Sequence, residues 1–78
     1  MVFQKVAEIL GELLDIDSEE IKPKIELNAD NGINAIKIAK LVIECERKFR
    51  ITIHDEDVCT FKTVTDIVDY IEKILADD

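Results

Sequence analysis

"FRITIHDEDVCTFKTVTDIVDYI", residues 49–71, is the stretch on which the fold turns. Its second half continues to Leu75 and places Val64, Ile67, Val68, Ile71, Ile74 and Leu75 at steps of three and four, the period of one helix face. Thr63, three residues ahead of Asp66, is close to a capping box with Asp in place of Glu, so the helix is predicted to start there. In the first half, Ile51-Thr52-Ile53 alternates like a strand but is too short to make a sheet alone. Asp55 and the residues beside it can cap one short turn, a third small helix.

Working back toward the N-terminus, residues 35–49 read as a helix. Asn31-Gly32 breaks the chain, Asn34 is a good N-cap, and Ile38, Leu41, Val42, Cys45 and Phe49 make a predicted buried stripe. Ile36, Ala39 and Ile43 also follow at helical spacing. The first helix covers residues 2 to about 15, on Phe3, Val6, Leu10 and Leu13 with Ile9 and Leu14 flanking. Gly11 inside it costs about 1 kcal/mol relative to alanine, so tertiary packing must help. Residues 17–33 form a long connection, where Pro23 disfavours a helix through Lys22 and Ile21, Ile25 and Leu27 serve as apolar pegs. Connections of this length in small domains are functional or tied down by such pegs. The expectation is an all-α, four-helix bundle, three helices longer and one short, with a long loop between the first two. It forms a single domain over residues 1–78, without repeats.

The bulk numbers narrow the function. A 78-residue chain has a thin core. No run approaches the roughly 18 apolar residues of a membrane span. The start carries Lys5, Glu8 and Glu12 rather than the pattern of a signal peptide, so a cytoplasmic protein is expected. Net charge is −8, from 18 acids and 10 bases, which makes nucleic acid a poor partner. The charge is uneven. Residues 1–20 hold six acids and one base, residues 51–78 eight acids and two bases, and residues 35–50 five bases against two acids. Cys45 and Cys59 lack CxxC spacing and read as idle thiols of a reducing compartment. With His54 the only histidine, no Cys/His zinc set can be assembled. Asp15, Asp17, Glu19 and Glu20, and likewise Asn28, Asp30 and Asn31, look faintly like calcium loops but lack the full ligand set, so no metal is expected. Asp55-Glu56-Asp57 suits helix capping better than catalysis.

The order of Phe49, Ile51-Thr52-Ile53, His54-Asp55-Glu56-Asp57 and Thr63-Val64-Thr65-Asp66-Ile67-Val68-Asp69-Tyr70-Ile71 resembles the acyl carrier protein family, the phosphopantetheine-binding carrier domains. The likeness covers almost the whole chain, with His54 at the family's usual proline. It implies a carrier rather than an enzyme. Counting back from Phe49, it lays the family's Asp-Ser-Leu attachment motif on Asn34-Ala35-Ile36, where the serine carries 4′-phosphopantetheine. Transfer of that arm needs a hydroxyl to attack the pyrophosphate of coenzyme A, and a helix N-terminus favours the resulting phosphodiester. Alanine has no such oxygen. The resemblance therefore leaves two branches: a carrier whose serine was replaced, locked in the apo form, or a natural serine-less module for protein interaction or regulation.

The resemblance also implies partners. These are enzymes of fatty-acid, polyketide or related biosynthesis, docking on residues 35–49 of a monomer through Lys37, Ile38, Lys40, Ile43, Glu46 and Arg47 to meet an acyl or aminoacyl cargo. A phosphopantetheinyl transferase joins them only for a form with serine at position 35. Ile36, Ile38, Leu41 and Ile43 are candidates for an acyl lining, for partner contact or for plain core. Lys37, Lys40, Arg47 and Lys48 stand where the family usually has acids, which points toward specialised partners or toward drift of surface charge.

Overall fold

The computed structural model describes residues 1–77. Helix α1 runs Val2–Leu14, α2 Ala35–Phe49, α3 Asp55–Val58 and α4 Val64–Ala76, with short 3-10 turns at Ser18–Glu20 and Ala29–Asn31 in the long connection. The predicted all-α bundle of three longer helices and one short one is the observed architecture. Helix α1 packs against both α2 and α4.

The helix ends follow local chemistry. At α4 the Thr63 side chain accepts from the Asp66 N–H at 3.3 Å, and Asp66 Oδ2 accepts in return from the N–H groups of Thr63 at 3.0 Å and Lys62 at 2.9 Å. Those two donors hold the Asp66 carboxyl below its ordinary range. At α2 the Lys37 N–H donates to Asn34 Oδ1 at 2.9 Å, as an N-cap should. Two helices end on non-glycine residues in left-handed backbone, Asp15 (φ 57) after α1 and Arg50 (φ 56) after α2. The second is the less comfortable, because Asp enters this region more readily than a long cationic side chain.

The core is a stack of apolar side chains from three helices. Val6, Leu10, Leu41, Cys45, Val64, Ile67 and Ile71 are essentially sealed from solvent. No polar or charged residue is buried among the described residues. The α1 stripe is shifted from its predicted centre. Phe3, Leu13 and Leu14 are only half-buried, while Ala7 and Gly11 are buried. Small residues there admit the following segment, and the Ile16 N–H donates to Gly11 O at 2.9 Å. At the far end of α4, Leu75 is exposed where the stripe runs off the core.

The long connection is tied down. Ile21 and Leu27 are buried pegs as expected, Ile25 is half-buried, and Ile33 is a further peg that the pattern did not single out. Backbone bonds strap this connection to the entry of α4: Leu27 N–H to Lys62 O at 2.8 Å, Val64 N–H to Ile25 O at 3.0 Å, and Thr65 N–H to Pro23 O at 3.0 Å. Thr65 Oγ1 adds a 2.9 Å bond to the same Pro23 carbonyl. The Ile51-Thr52-Ile53 segment forms no strand; Ile53 is buried and Thr52 exposed.

Candidate functional site

The site is built from the entry to α2. The 3-10 turn over Ala29–Asn31 closes on Gly32, whose φ of 77° suits glycine, and Ile33 anchors the chain in the core. Asn34 then caps α2. Ala35 is the first helical residue and is exposed; Ile36 follows with 66 % of its surface exposed. The first N–H groups of a helix have no intrahelical acceptor, and Asn34 takes only that of Lys37. The backbone at Ala35 and Ile36 therefore offers donors and a partial positive charge to an anion outside the helix.

From Ala35 an apolar groove of about 650 Å³ runs between α2 and α3. Ile38, Ala39, Val42 and Ile43 form one side, and Ile53, Asp55, Val58 and Cys59 the other, with Glu46 at its lower end. Sequence reasoning found part of this lining. Ile38 and Ile43 belong to it. Ile36 instead stands in solvent, and Leu41, 1 % exposed, is plain core. The wall from Ile53 to Cys59 was missed because helical spacing on α2 carries no information about what packs opposite. The apolar pair Val58-Cys59 closing a short acidic helix was the available signal.

The charged residues of α2 divide by role. Lys40 is exposed and Lys37 half-buried. Arg47 pairs with Glu44 at 3.5 Å on an open surface. Glu46 is partly committed inward, since its Oε2 accepts from the Ile53 N–H at 2.8 Å and pins the segment leaving α2. The two thiols differ sharply. Burial, with help from Glu44 and Glu46, pushes the Cys45 thiol up to about 12, whereas Cys59 is exposed and donates to Glu56 O at 3.2 Å. Ser18, the single serine of the chain, lies away from α2's start. It lines a separate polar hollow of about 690 Å³ with Glu8, Gly11, Asp15 and Arg47 among others. No group of three or more metal-binding side chains is assembled among the described residues, and no helix there is long and apolar enough to cross a membrane.

An exposed helix start leading into an apolar groove is a place to hold and present a group. The comparison with known families agrees: the family described as "Phosphopantetheine attachment site" matches residues 4–71, which defines a carrier rather than an enzyme. The chain is 40 % identical over 73 residues to the acyl carrier protein of Phytoplasma mali, covering 94 % of this chain and 87 % of that one. It is 35 % identical over 74 residues to that of Thermotoga maritima, covering 95 % and 91 %. A solved acyl carrier protein structure from Enterococcus faecalis superposes with a TM-score of 0.73 at 34 % identity, over 90 % of this chain and 89 % of that chain. The chain belongs to the acyl carrier protein family, whose members carry acyl groups for biosynthesis.

Proposed function

We propose that position 35 is the attachment position of this carrier, so that the chain as written is held in the apo form and presents no cargo of its own. The observation that carries this reading is the placement of Ala35. It is exposed, it opens α2 directly after the Asn34 cap, and it stands at the mouth of the α2–α3 groove. A serine there would offer its hydroxyl to solvent, with the free N–H groups of the first turn beside the new phosphodiester. The residues around it suit 4′-phosphopantetheine, but alanine cannot form the bond, so no transfer step is assigned to this chain. With serine restored, an acyl thioester on the arm would reach the groove and be shown to biosynthetic enzymes docking on α2 of a cytoplasmic monomer.

The test is intact-mass measurement after incubation with coenzyme A and a broad-range phosphopantetheinyl transferase. The chain as written is expected to stay unmodified, and Ala35→Ser to gain one phosphopantetheine group. Modification of the unaltered chain would move the acceptor elsewhere. An Ala35→Ser variant that several transferases leave untouched would favour the second reading, a serine-less docking module. The observation behind that second reading is the exposure of Ile36 on a helix face that needs no arm to bind.

A further inference from the structure

The outer face of α2 carries an alternation that the groove shares only at Ile43. Ile36, Lys40, Ile43 and Arg47 are spaced by four, three and four residues, which keeps them within about 60° of one another around a helix of about 100° per residue. All four are exposed, Ile36 at 66 % and Ile43 at 47 %. Apolar and cationic side chains thus alternate along one ridge. Ile36 and Ile43 are seven residues apart, as are Lys40 and Arg47, a rise of about 10 Å along the axis. The ridge stands on a protein that is acidic at both ends of its sequence, with 18 acids against 10 bases overall. Its charge contrast is therefore local and directional. Neither cation is strongly committed. The Arg47–Glu44 pair at 3.5 Å is exposed, the kind of ion pair that contributes little, and Lys40 makes no ion pair among the described residues.

We infer that this ridge docks a partner protein whose surface has two apolar sockets about 10 Å apart, interleaved with carboxylates that meet Lys40 and Arg47. The inference rests on the reading of α2 as the docking helix and names the chemistry of what docks there. A phosphate polyanion offers no sockets for Ile36 and Ile43, and the net charge of −8 opposes it. One helix face buries less than the roughly 1,200 Å² of a stable interface, so the complex is transient. Its association is steered by charge and weakened by salt.

The experiment follows backbone amide signals of the intact ¹⁵N-labelled protein at about 0.01 M ionic strength, where charges reach about 30 Å. The probe is a synthetic amphipathic helical peptide of Leu and Glu, with its Leu and Lys counterpart as control. The Leu/Glu peptide is expected to shift signals over Ile36–Arg47. Lys40→Glu combined with Arg47→Glu should weaken it by about tenfold or more. Ile36→Ser with Ile43→Ser should weaken it while leaving the relative salt dependence in place. All four positions are exposed, and the amide spectrum itself verifies the fold of each variant. Equal binding by the charge-reversed variant would overturn the inference. So would capture of the same face by the Leu/Lys peptide, or signals over Ile36–Arg47 that move with the protein's own concentration, which would make a second copy the occupant. Loading of Ala35→Ser is scored separately. Loading without peptide docking removes the ridge and leaves the carrier reading, whereas docking without loading does the reverse.

Discussion

The Tyr70 hydroxyl of α4 donates a 2.7 Å hydrogen bond to Asp57 Oδ2 of α3. Phe61 packs edge-on against the same tyrosine ring, with centroids 5.1 Å apart and planes at 72°. Helix α3 is four residues long and buries none of them, so it has little packing of its own. Its position beside the groove depends on this bond, on half-buried Val58 and on the Glu46–Ile53 anchor that precedes it.

Replacing Tyr70 by Phe keeps the ring pair and removes the hydrogen bond. We expect a loss of about 1 kcal/mol in chemical denaturation. Amide hydrogen exchange should accelerate at Val58 and Cys59 more than along α1, because the change loosens one wall of the groove rather than the core. Equal acceleration in α1 would show that Tyr70 supports the whole bundle.

The same residue gives a pH signature. Burial, then the bond to Asp57, raises the Tyr70 phenol above its ordinary 10.0. The protonated form is thus favoured in the folded state. The stability this contributes is complete below pH 10 and is lost as pH rises through the higher folded value. Tyr70 is the only tyrosine and there is no tryptophan, so phenolate absorbance reads it alone. The midpoint should lie above 10 in buffer and return to about 10 in concentrated urea.

Gly11→Ala should destabilise the protein although alanine is the better helix former by about 1 kcal/mol. A Cβ at this position would stand 2.8 Å from Ile16 O and 3.2 Å from Ser18 N, both backbone atoms that cannot rotate away. Overpacking of this kind costs about 1–3 kcal/mol, enough to reverse the propensity gain. Thermal unfolding of the variant checks the sign.

Salt should raise the melting temperature. Among the described residues, the acids of 1–20 and 51–77 are not paired with the bases of α2; the one ion pair there lies within α2 itself, Arg47 with Glu44. Repulsion is therefore uncompensated and falls as the screening length shortens from about 30 Å at 0.01 M to about 10 Å at 0.1 M ionic strength. Calcium at matched ionic strength should do no more than sodium chloride, because no set of three carboxylates converges among the described residues. A larger calcium effect would reveal an ion site.

Helices and their ends are encoded locally. Periodicity is written within a few residues, and so are the caps: Thr63 with Asp66, and Asn34 with Lys37, bond across three positions and need nothing from elsewhere in the chain. The family was legible for the same reason, in the order of short motifs from Phe49 to Ile71. Which apolar residue does what depends instead on how the helices pack. Leu41 and Ile36 are both branched aliphatics on one helix, yet one is sealed in the core and the other stands in solvent, because the core cluster lies on one side of α2 only. Packing also decided that Glu46 is drawn inward to Ile53, that Cys59 faces the groove, and that Gly11 exists to let residues 16–18 pass. Each of these depends on segments that meet in space, and a side chain's burial is set by whatever folds over it.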